Sequence, residues 1–163
     1  MKLQFKHLIV MLLFGISFMS ASAQMKNKNI VGTWQLGSEV LASGYKDHYC
    51  FKTDGSFYFG TDEFDGTRRI LSFGGTYQII DNVLVLRITY SKEIKGGIIE
   101  RDETVGGSGW IINNGKIVNK KYKHPSVCNL ELERQDSVNQ EGTYSCILID
   151  KQEFYKVDNP IEF

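Results

Sequence analysis

The chain of 163 residues carries 19 Lys and Arg against 19 Asp and Glu, which gives a formal net charge of zero. This length fits one domain with a single hydrophobic core that needs no metal or disulfide to stabilise it. The balanced charge gives no electrostatic reason to expect nucleic acid as a partner. It gives no such reason for an anionic membrane surface either.

Residues 1–23 have the composition of a secretory signal peptide. Two lysines precede an apolar run from Leu8 to Phe14, and Ala21 and Ala23 place small residues at the cleavage positions. The apolar run is too short to span a bilayer comfortably. We therefore expect an exported protein, periplasmic or secreted, in which residues 24–163 form one domain with no integral membrane segment.

The rest of the chain predicts short β-strands joined in sequential hairpins. β-Branched and aromatic residues are dense, and turn-forming dipeptides separate them. The strongest hairpin signals are Asp54-Gly55, Asp65-Gly66 and Asn114-Gly115, because both central residues of a type I′ turn need positive φ. Asp81-Asn82 is a weaker signal of the same kind. After one helical turn near residues 26–31, strands are expected near 33–41, 45–52, 56–62, 67–73, 75–80, 83–91, 94–105, 108–113, 116–122 and 127–135.

Side-chain alternation indicates that these strands are antiparallel and half-buried. Leu84, Leu86 and Tyr90 share one face of their strand, opposite the polar side chains between them. Such strands argue against a parallel sheet covered by helices. An antiparallel meander removes its open edges by closing into a barrel. We therefore predict an all-β fold, a single up-and-down barrel with its core over about 30–135 and an extra C-terminal hairpin at about 142–158; a β-sandwich is the alternative.

Three cysteines occur in the exported part of the chain, so at least one is unpaired. Their spacing matches no zinc motif. Alternation puts Cys50 on a polar face with His48, whereas Cys128 shares a face with Leu130. The favoured disulfide therefore joins Cys128 to Cys146, and three buried thiols that behave as small hydrophobic residues are the alternative.

No arrangement of residues predicts catalysis, a cofactor or a bound metal. His48 and His124 are expected at the surface, because nothing places either beside a nucleophilic serine. The stretches TDEFDG and IERDET contain paired carboxylates, which glycosidases require, but acids at strand ends are also common for solubility alone. The basic stretch NKKYKH indicates a solvated strand end. We therefore expect that the protein is not an enzyme.

The segment Gly32-Thr33-Trp34, which follows a short turn and opens the first strand, resembles the G-x-W element of the lipocalins. With DGSFYF and GTYQIIDNVLVL, the chain is similar to bacterial exported lipocalin-like domains of unknown function over about residues 30–135. The resemblance implies a calycin-like barrel whose closed end is filled by Trp34. It also implies that an arginine of the last strand lies over the indole, and Arg134, on the same face as Leu132, is the candidate. Such a contact is worth about 2 kcal/mol when it is desolvated.

Aromatic residues are abundant, with 8 Tyr, 10 Phe and 2 Trp. An eight-stranded barrel is either filled by side chains or holds one small ligand. Tyrosine hydroxyls on the inner face would suit an amphipathic ligand. We therefore expect the protein to bind a small hydrophobic or amphipathic molecule. The alternative is a non-enzymatic protein-interaction module, an inhibitor or a cell-surface complex subunit, on the same barrel. The candidate ligand-binding residues are Tyr45, Tyr49, Phe51, Tyr77 and Tyr90.

Overall fold

The computed structural model describes residues 26–38, 44–102, 109–139 and 142–157. The predicted signal peptide, residues 1–23, lies outside this part of the chain. A single 3-10 turn, Asn27–Asn29, precedes eight strands. The strands are β1 (Gly32–Leu36), β2 (His48–Phe51), β3 (Ser56–Gly60), β4 (Ile70–Ile80), β5 (Val83–Asp102), β6 (Gly109–Asn139), β7 (Gly142–Ile149) and β8 (Gln152–Val157).

The eight strands form one antiparallel meander that closes into a ring. Each strand pairs with the next in sequence, and β8 returns to pair with β1, so that Leu36 lies opposite Phe154. The all-β antiparallel meander predicted from the alternation is thus confirmed. Among the described residues, no helix is long and apolar enough to cross a membrane.

The strands are fewer and longer than the dipeptide signals predict, and β4 shows why. Two strands expected on either side of residue 74 are the single strand β4, whose ladder with β5 shifts between Gly74 and Gly75. A side chain at Gly75 would collide with the carbonyl oxygen of Arg87. The glycine therefore lies at a β-bulge in the β4–β5 ladder and does not mark a break between two strands.

β5 and β6 form one long hairpin that contains five of the expected strands. Asn114-Gly115 is not its turn, because Gly115 pairs with Gly96 inside the ladder. Of the two residues in the dipeptide, Asn114 does have the positive φ that the signal requires, 57°, and the other positive value at this step, 71°, belongs to Gly97 on β5. The signal thus locates an irregular step in the ladder instead of a hairpin end. In the same way, Asp65-Gly66 lies in the loop of residues 61–69, which joins β3 to β4.

The far end of the β5–β6 hairpin extends beyond its neighbour in the sheet. β4 pairs with β5 from Val83 to Glu93, whereas β5 and β6 remain paired out to Asp102 and Gly109. We call residues 94–102 and 109–117 the β5–β6 ribbon. Large apolar side chains are exposed on it, namely Ile98, Ile99, Trp110 and Ile117.

The C-terminal hairpin is part of the ring and not an extra element beside it. β7 pairs with β6 from Leu132 to Asn139, and β8 pairs with both β7 and β1. The ring core expected to end near residue 135 therefore continues, because β6 runs on to Asn139 and two more strands close the sheet. The polar stretch QDSVNQEG after Arg134 is typical of a connector, but its residues as far as Asn139 belong to β6.

Hydrophobic side chains fill the inner face of the ring. The rings of Tyr49 and Phe51 are stacked with their centroids 5.4 Å apart, and Phe51 contacts Tyr77 at 4.9 Å. Every strand contributes to this cluster. Its buried members are Ile30, Trp34, Tyr49, Phe51, Phe57, Tyr77, Leu84, Leu86, Leu132, Ile147, Ile149 and Phe154.

The segment before β1 covers one end of the ring. Ile30 is fully buried. The side-chain oxygen of Asn27 accepts a hydrogen bond from the backbone N–H of Ile79 at 2.8 Å, and the Tyr77 hydroxyl donates to the carbonyl of Lys52 at 3.0 Å. The Tyr77 hydroxyl also donates to the carbonyl of Asn27 at 3.4 Å. The two bonds of Asn27 tie the 3-10 turn to β4, so we call this the closed end.

All three cysteines are thiols, and the expected disulfide between Cys128 and Cys146 is not made. Cys146 lies opposite Gln135, which is seven residues further along β6 than Cys128, or roughly 20 Å at the rise of an extended strand. A disulfide requires Cα atoms within about 7 Å. The two cysteines also face opposite sides of the sheet, because Cys128 pairs with the core residue Leu86 whereas Cys146 alternates with the core residue Ile147.

Candidate functional site

The closed end is built around Trp34, which is 3% exposed. Its indole N–H donates to the carbonyl of Ile30 at 2.7 Å, and the ammonium of Lys156 lies 5.9 Å from the ring centroid. Gly32 has a φ of 129°, and a Cβ there would lie 3.1 Å from Cε of Lys156. Glycine thus leaves room for the lysine to cross β1. These contacts are structural, because they lie at the covered end of the ring.

Arg134 lies on β6 opposite Ile147, a core residue of β7, so it shares the inner face as alternation predicts. Its side chain is exposed. The contact of Arg134 with Trp34 stays a prediction. Lys156 comes from β8, the last strand of the ring, and sequence reasoning missed it because β8 was assigned to an extension.

Three of the five candidate ligand residues are buried inside the ring and pack on one another. Tyr49 contacts Phe59 at 4.6 Å and Phe154 at 5.3 Å, and burial raises the pKa of its phenol. Together with Phe51 and Tyr77, it fills the interior instead of lining an open lumen.

Tyr45 and Tyr90 lie outside the ring, so the expectation that they face inward is wrong. Tyr45 precedes β2, so the alternation of side chains along a strand does not determine its direction. It packs on His48 with ring centroids 4.4 Å apart. Tyr90 follows a register shift after Ile88. The extra residue reverses which face each later side chain occupies, and Tyr90 consequently covers Gly74 from the outside.

A cavity of about 400 Å³, which we call the mouth cavity, lies at the end of the ring where the 61–69 loop joins β3 to β4. Phe59 and Phe73 are stacked with their centroids 4.7 Å apart and form its apolar floor. Both belong to the edge of the hydrophobic core. The residues lining the cavity are Phe59, Thr61, Arg68, Arg69, Ile70 and Phe73.

The two arginines of the mouth cavity have different partners. Arg68 donates to Asp65 at 3.0 Å and to Asp47 at 3.4 Å, so its charge is compensated by carboxylates. Arg69 donates to the carbonyl oxygens of Gly96 at 2.5 Å and Gly97 at 3.4 Å. Within the described chain, no carboxylate forms an ion pair with Arg69. It is therefore the uncompensated cation of this cavity.

A second cavity of about 370 Å³, which we call the outer cavity, lies on the outer face of the sheet beneath the 61–69 loop. One row of paired residues crosses four strands at its base: His48 on β2, Gly60 on β3, Ser72 on β4 and Lys92 on β5. Paired residues of neighbouring strands point to the same face. The row thus presents an imidazole, a hydroxyl and an ammonium to one space.

The loop over the outer cavity is held by its own carboxylates. Asp62 accepts from the N–H of Phe64 at 2.8 Å, Glu63 accepts from the N–H of Tyr45 at 3.2 Å, and Asp65 accepts from Thr67. The hydroxyl and N–H of Thr67, followed by Arg68, lower the pKa of Asp65. The charged form of Asp65 therefore contributes to fixing the loop.

His48 is buried, 1% exposed, so the expectation of a surface histidine is wrong for it. Its Nδ1 lies 2.8 Å from the carbonyl of Lys46. A carbonyl can only accept, so Nδ1 carries the proton and Nε2 is an acceptor in the neutral ring. Desolvation lowers the pKa of His48, and the Lys46 carbonyl opposes this only in part.

Sequence reasoning missed the residues that shape both cavities, chiefly Phe59, Phe73, Arg69, Ser72 and Lys92. The alternation in DGSFYF did contain a signal, since Phe57 and Phe59 share one face of β3. Among the residues that the structure describes, no three or more histidine, cysteine or acidic side chains lie close enough together to hold a metal ion. Comparison of the chain with protein-family models, curated proteins and solved structures finds no match.

Proposed function

We propose that the protein is an exported lipocalin-like barrel that binds a small amphipathic molecule with an acidic headgroup in the mouth cavity. The observation that carries the proposal is the combination of an aromatic floor, Phe59 and Phe73, with the uncompensated cation Arg69. A volume of about 400 Å³ lies in the range of small-molecule sites.

The apolar floor supports binding of a hydrocarbon tail. Each methylene that leaves water for such a surface contributes about 0.8 kcal/mol. Below the floor, Tyr49 packs on Phe51 and on the floor residue Phe59, and these rings occupy the space that a deep lumen would need. The tail therefore lies across the mouth and does not enter the interior.

Arg69 supports an acidic headgroup. A guanidinium recognises a carboxylate or a phosphate through two parallel hydrogen bonds. Two of its donors already hold the carbonyls of Gly96 and Gly97, which fixes the side chain at the rim in advance. A fixed donor binds with less loss of side-chain entropy than a mobile one.

The experiment is a calorimetric titration with dodecanoate and with the neutral alcohol dodecanol. We expect dodecanoate to bind, and Arg69→Met to weaken its binding about tenfold or more, the value of one charge-assisted contact. Arg87→Met is the matched control, because Arg87 is an exposed arginine of β5 outside the mouth cavity. It should leave the affinity unchanged.

Absence of binding by both probes would overturn the proposed function. Equal binding of dodecanol and dodecanoate, or an equal loss in Arg69→Met and Arg87→Met, would show that the headgroup assignment is wrong.

We infer a second candidate function, docking of an acidic protein segment, from the β5–β6 ribbon. Contiguous exposed apolar side chains on a protein surface mark interaction sites, and Ile99 and Trp110, which share one face of the ribbon, are 49% and 57% exposed. β6 continues from the ribbon with exposed basic side chains, Lys116, Lys120, Lys121 and Lys123. A partner strand of alternating acidic and apolar residues is complementary to both features.

A variant without residues 98–113 tests this function. The deletion joins Gly97 to Asn114, both of which have the positive φ of a two-residue turn. A labelled peptide of alternating Glu and Val should bind the full chain in a fluorescence anisotropy titration and lose its binding to the variant. Equal binding of a Lys-Val peptide, or unchanged binding to the variant, would contradict docking at the ribbon.

A further inference from the structure

We infer that the outer cavity is a second ligand site, for a small neutral molecule with several hydroxyl groups, of the size of a monosaccharide. The inference is independent of the mouth cavity, although Thr61 and Arg68 line both. It rests on the cross-strand row His48, Gly60, Ser72 and Lys92, and on the loop above it.

Gly60 makes room for the site. A side chain at this position would collide with the imidazole of His48, which therefore lies over the glycine and leans along the row toward β4. Gly74 has the same role in the next row, where Tyr90 occupies the space over the glycine. In each row a ring covers the glycine, and in the first row the outer cavity lies beside the imidazole, with Tyr58 also in its lining.

Ser72 is the observation that points to a ligand. The residue is 4% exposed and lines the outer cavity, yet its hydroxyl makes no hydrogen bond to the described part of the chain. The hydroxyl is not sealed from solvent, so it can reach a molecule in the cavity. A ligand hydroxyl in the cavity would satisfy it.

Lys92 stands beside Ser72 in the row. Its ammonium forms no ion pair with any residue that the structure describes. Carboxylates of the covering loop face the same space from above, and each already accepts from a backbone N–H. A carboxylate has about four acceptor sites, so Asp62 and Glu63 retain capacity for a ligand.

The balance of these groups selects the ligand class. The lining contains three carboxylates, Asp62, Glu63 and Asp65, against two cations, Arg68 and Lys92, with His48 held neutral. A strongly charged ligand of either sign would satisfy one set and oppose the other. A hydroxyl both donates and accepts, so a molecule with several hydroxyls satisfies both sets, and its apolar face packs on Tyr58.

The experiment is an amide NMR titration with glucose, galactose, mannose and xylose. Inorganic phosphate and glycine serve as charged and zwitterionic comparators. At least one sugar should give saturable shifts, with a dissociation constant in the millimolar range or below, at the amides of Gly60, Ser72 and Lys92. Ser72→Val and Lys92→Met should each weaken binding about fivefold.

Thr76→Val is the matched control, because Thr76 is an exposed residue of the same strand outside the cavity lining. Lys92→Met changes an exposed side chain, so it tests the site even if Ser72→Val disturbs the fold. The inference is overturned if none of the four sugars shifts these amides, or if phosphate or glycine binds there in their place. It is overturned equally if Thr76→Val weakens binding as much as Lys92→Met.

Discussion

The two tryptophans of the chain have opposite environments, which makes them a matched pair for measuring what the closed end contributes. Trp34 is buried and donates a hydrogen bond to Ile30, whereas Trp110 is 57% exposed on the β5–β6 ribbon. We expect Trp34→Ala to lower the free energy of unfolding by about 3 to 5 kcal/mol. Trp110→Ala should change it by less than about 0.5 kcal/mol.

Urea unfolding of the two variants checks this prediction. A loss in Trp34→Ala no larger than that in Trp110→Ala would show that the indole is not part of the core. Lys156→Met, which keeps the aliphatic contact over Gly32 and removes the charge, separates the cation–π contribution from packing; at a partly exposed site it should cost about 0.5 to 1 kcal/mol.

His48 makes the stability depend on pH, because desolvation lowers its pKa below the ordinary value of 6.5. The unfolded chain therefore binds a proton at this ring at a higher pH than the folded chain. The contribution of His48 to the free energy of unfolding is fully present above about pH 6.5. It is lost as the pH falls toward the pKa of the ring in the folded chain. The carboxyl of Asp65, whose pKa is lowered from 3.8, contributes a loss only at lower pH.

Unfolding in urea at about pH 7.5 and about pH 5.5 measures the histidine contribution. The wild-type chain should be less stable at the lower pH, and His48→Phe should show a smaller difference. His48→Phe keeps a ring against Tyr45 and leaves the carbonyl of Lys46 without its donor, so we expect it to cost about 1 kcal/mol at neutral pH. His124→Phe, at an exposed position, should leave the pH dependence unchanged.

At the scale of the strand, the β-bulge between β4 and β5, whose extra residue is in β5, makes the ladder sensitive to substitution at Gly75. We expect Gly75→Ala to destabilise the ring by about 1 to 3 kcal/mol, because the new Cβ would collide with the carbonyl oxygen of Arg87 across the ladder. Gly109→Ala is the control, since the nearest atom to its Cβ would be 3.9 Å away, in Asp102.

Thermal unfolding followed by circular dichroism compares the two glycine variants. An unchanged melting temperature for Gly75→Ala would mean that β4 and β5 move apart at this point without loss of stability. The bulge would then not determine the register of the two strands.

The existence and the direction of the strands were predictable, but their lengths and faces were not. Alternation in VLVLRI placed Leu84 and Leu86 in the core correctly. It failed at Tyr90 because a register shift after Ile88 adds a residue that the sequence does not mark. Dipeptide signals likewise reported positive φ correctly at Asn114, yet positive φ serves both hairpin turns and irregular steps inside a ladder.

The two cavities show the same limit of sequence-based prediction. Phe59 was within reach of alternation, since it follows Phe57 by two residues on one strand. Arg69 and Ser72 were not, because their roles depend on the path of the 61–69 loop and on which residues face each other across four strands. Such information is absent from the order of residues along a single strand.

At the scale of the whole molecule, the C-terminal hairpin should be essential and the ribbon dispensable. A chain that ends at Asn139 lacks β7 and β8, so β1 loses its partner β8 and the sheet cannot close. We expect this variant to show no cooperative unfolding transition. The variant without residues 98–113 retains every pairing of the ring and should unfold cooperatively, within about 1 kcal/mol of the full chain.

Urea titrations followed by tryptophan fluorescence distinguish the two variants, because Trp34 remains in both. A cooperative transition in the chain that ends at Asn139 would show that six strands suffice. That result would place the end of the folded core near residue 135, as the sequence predicts.

The pairing of β1 with β8 also governs how fast the protein reaches its native state. Leu36 and Phe154 are on the order of 120 residues apart, and a contact of this separation carries a large loop-closure entropy. Topologies dominated by distant pairings fold in milliseconds to seconds, far more slowly than helical bundles of similar size. β1 therefore cannot pair with β8 until β8 has been synthesised, so the ring closes late in folding. We propose that the chain is exported, and this delay in closing the ring would help to keep the chain unfolded while it is translocated.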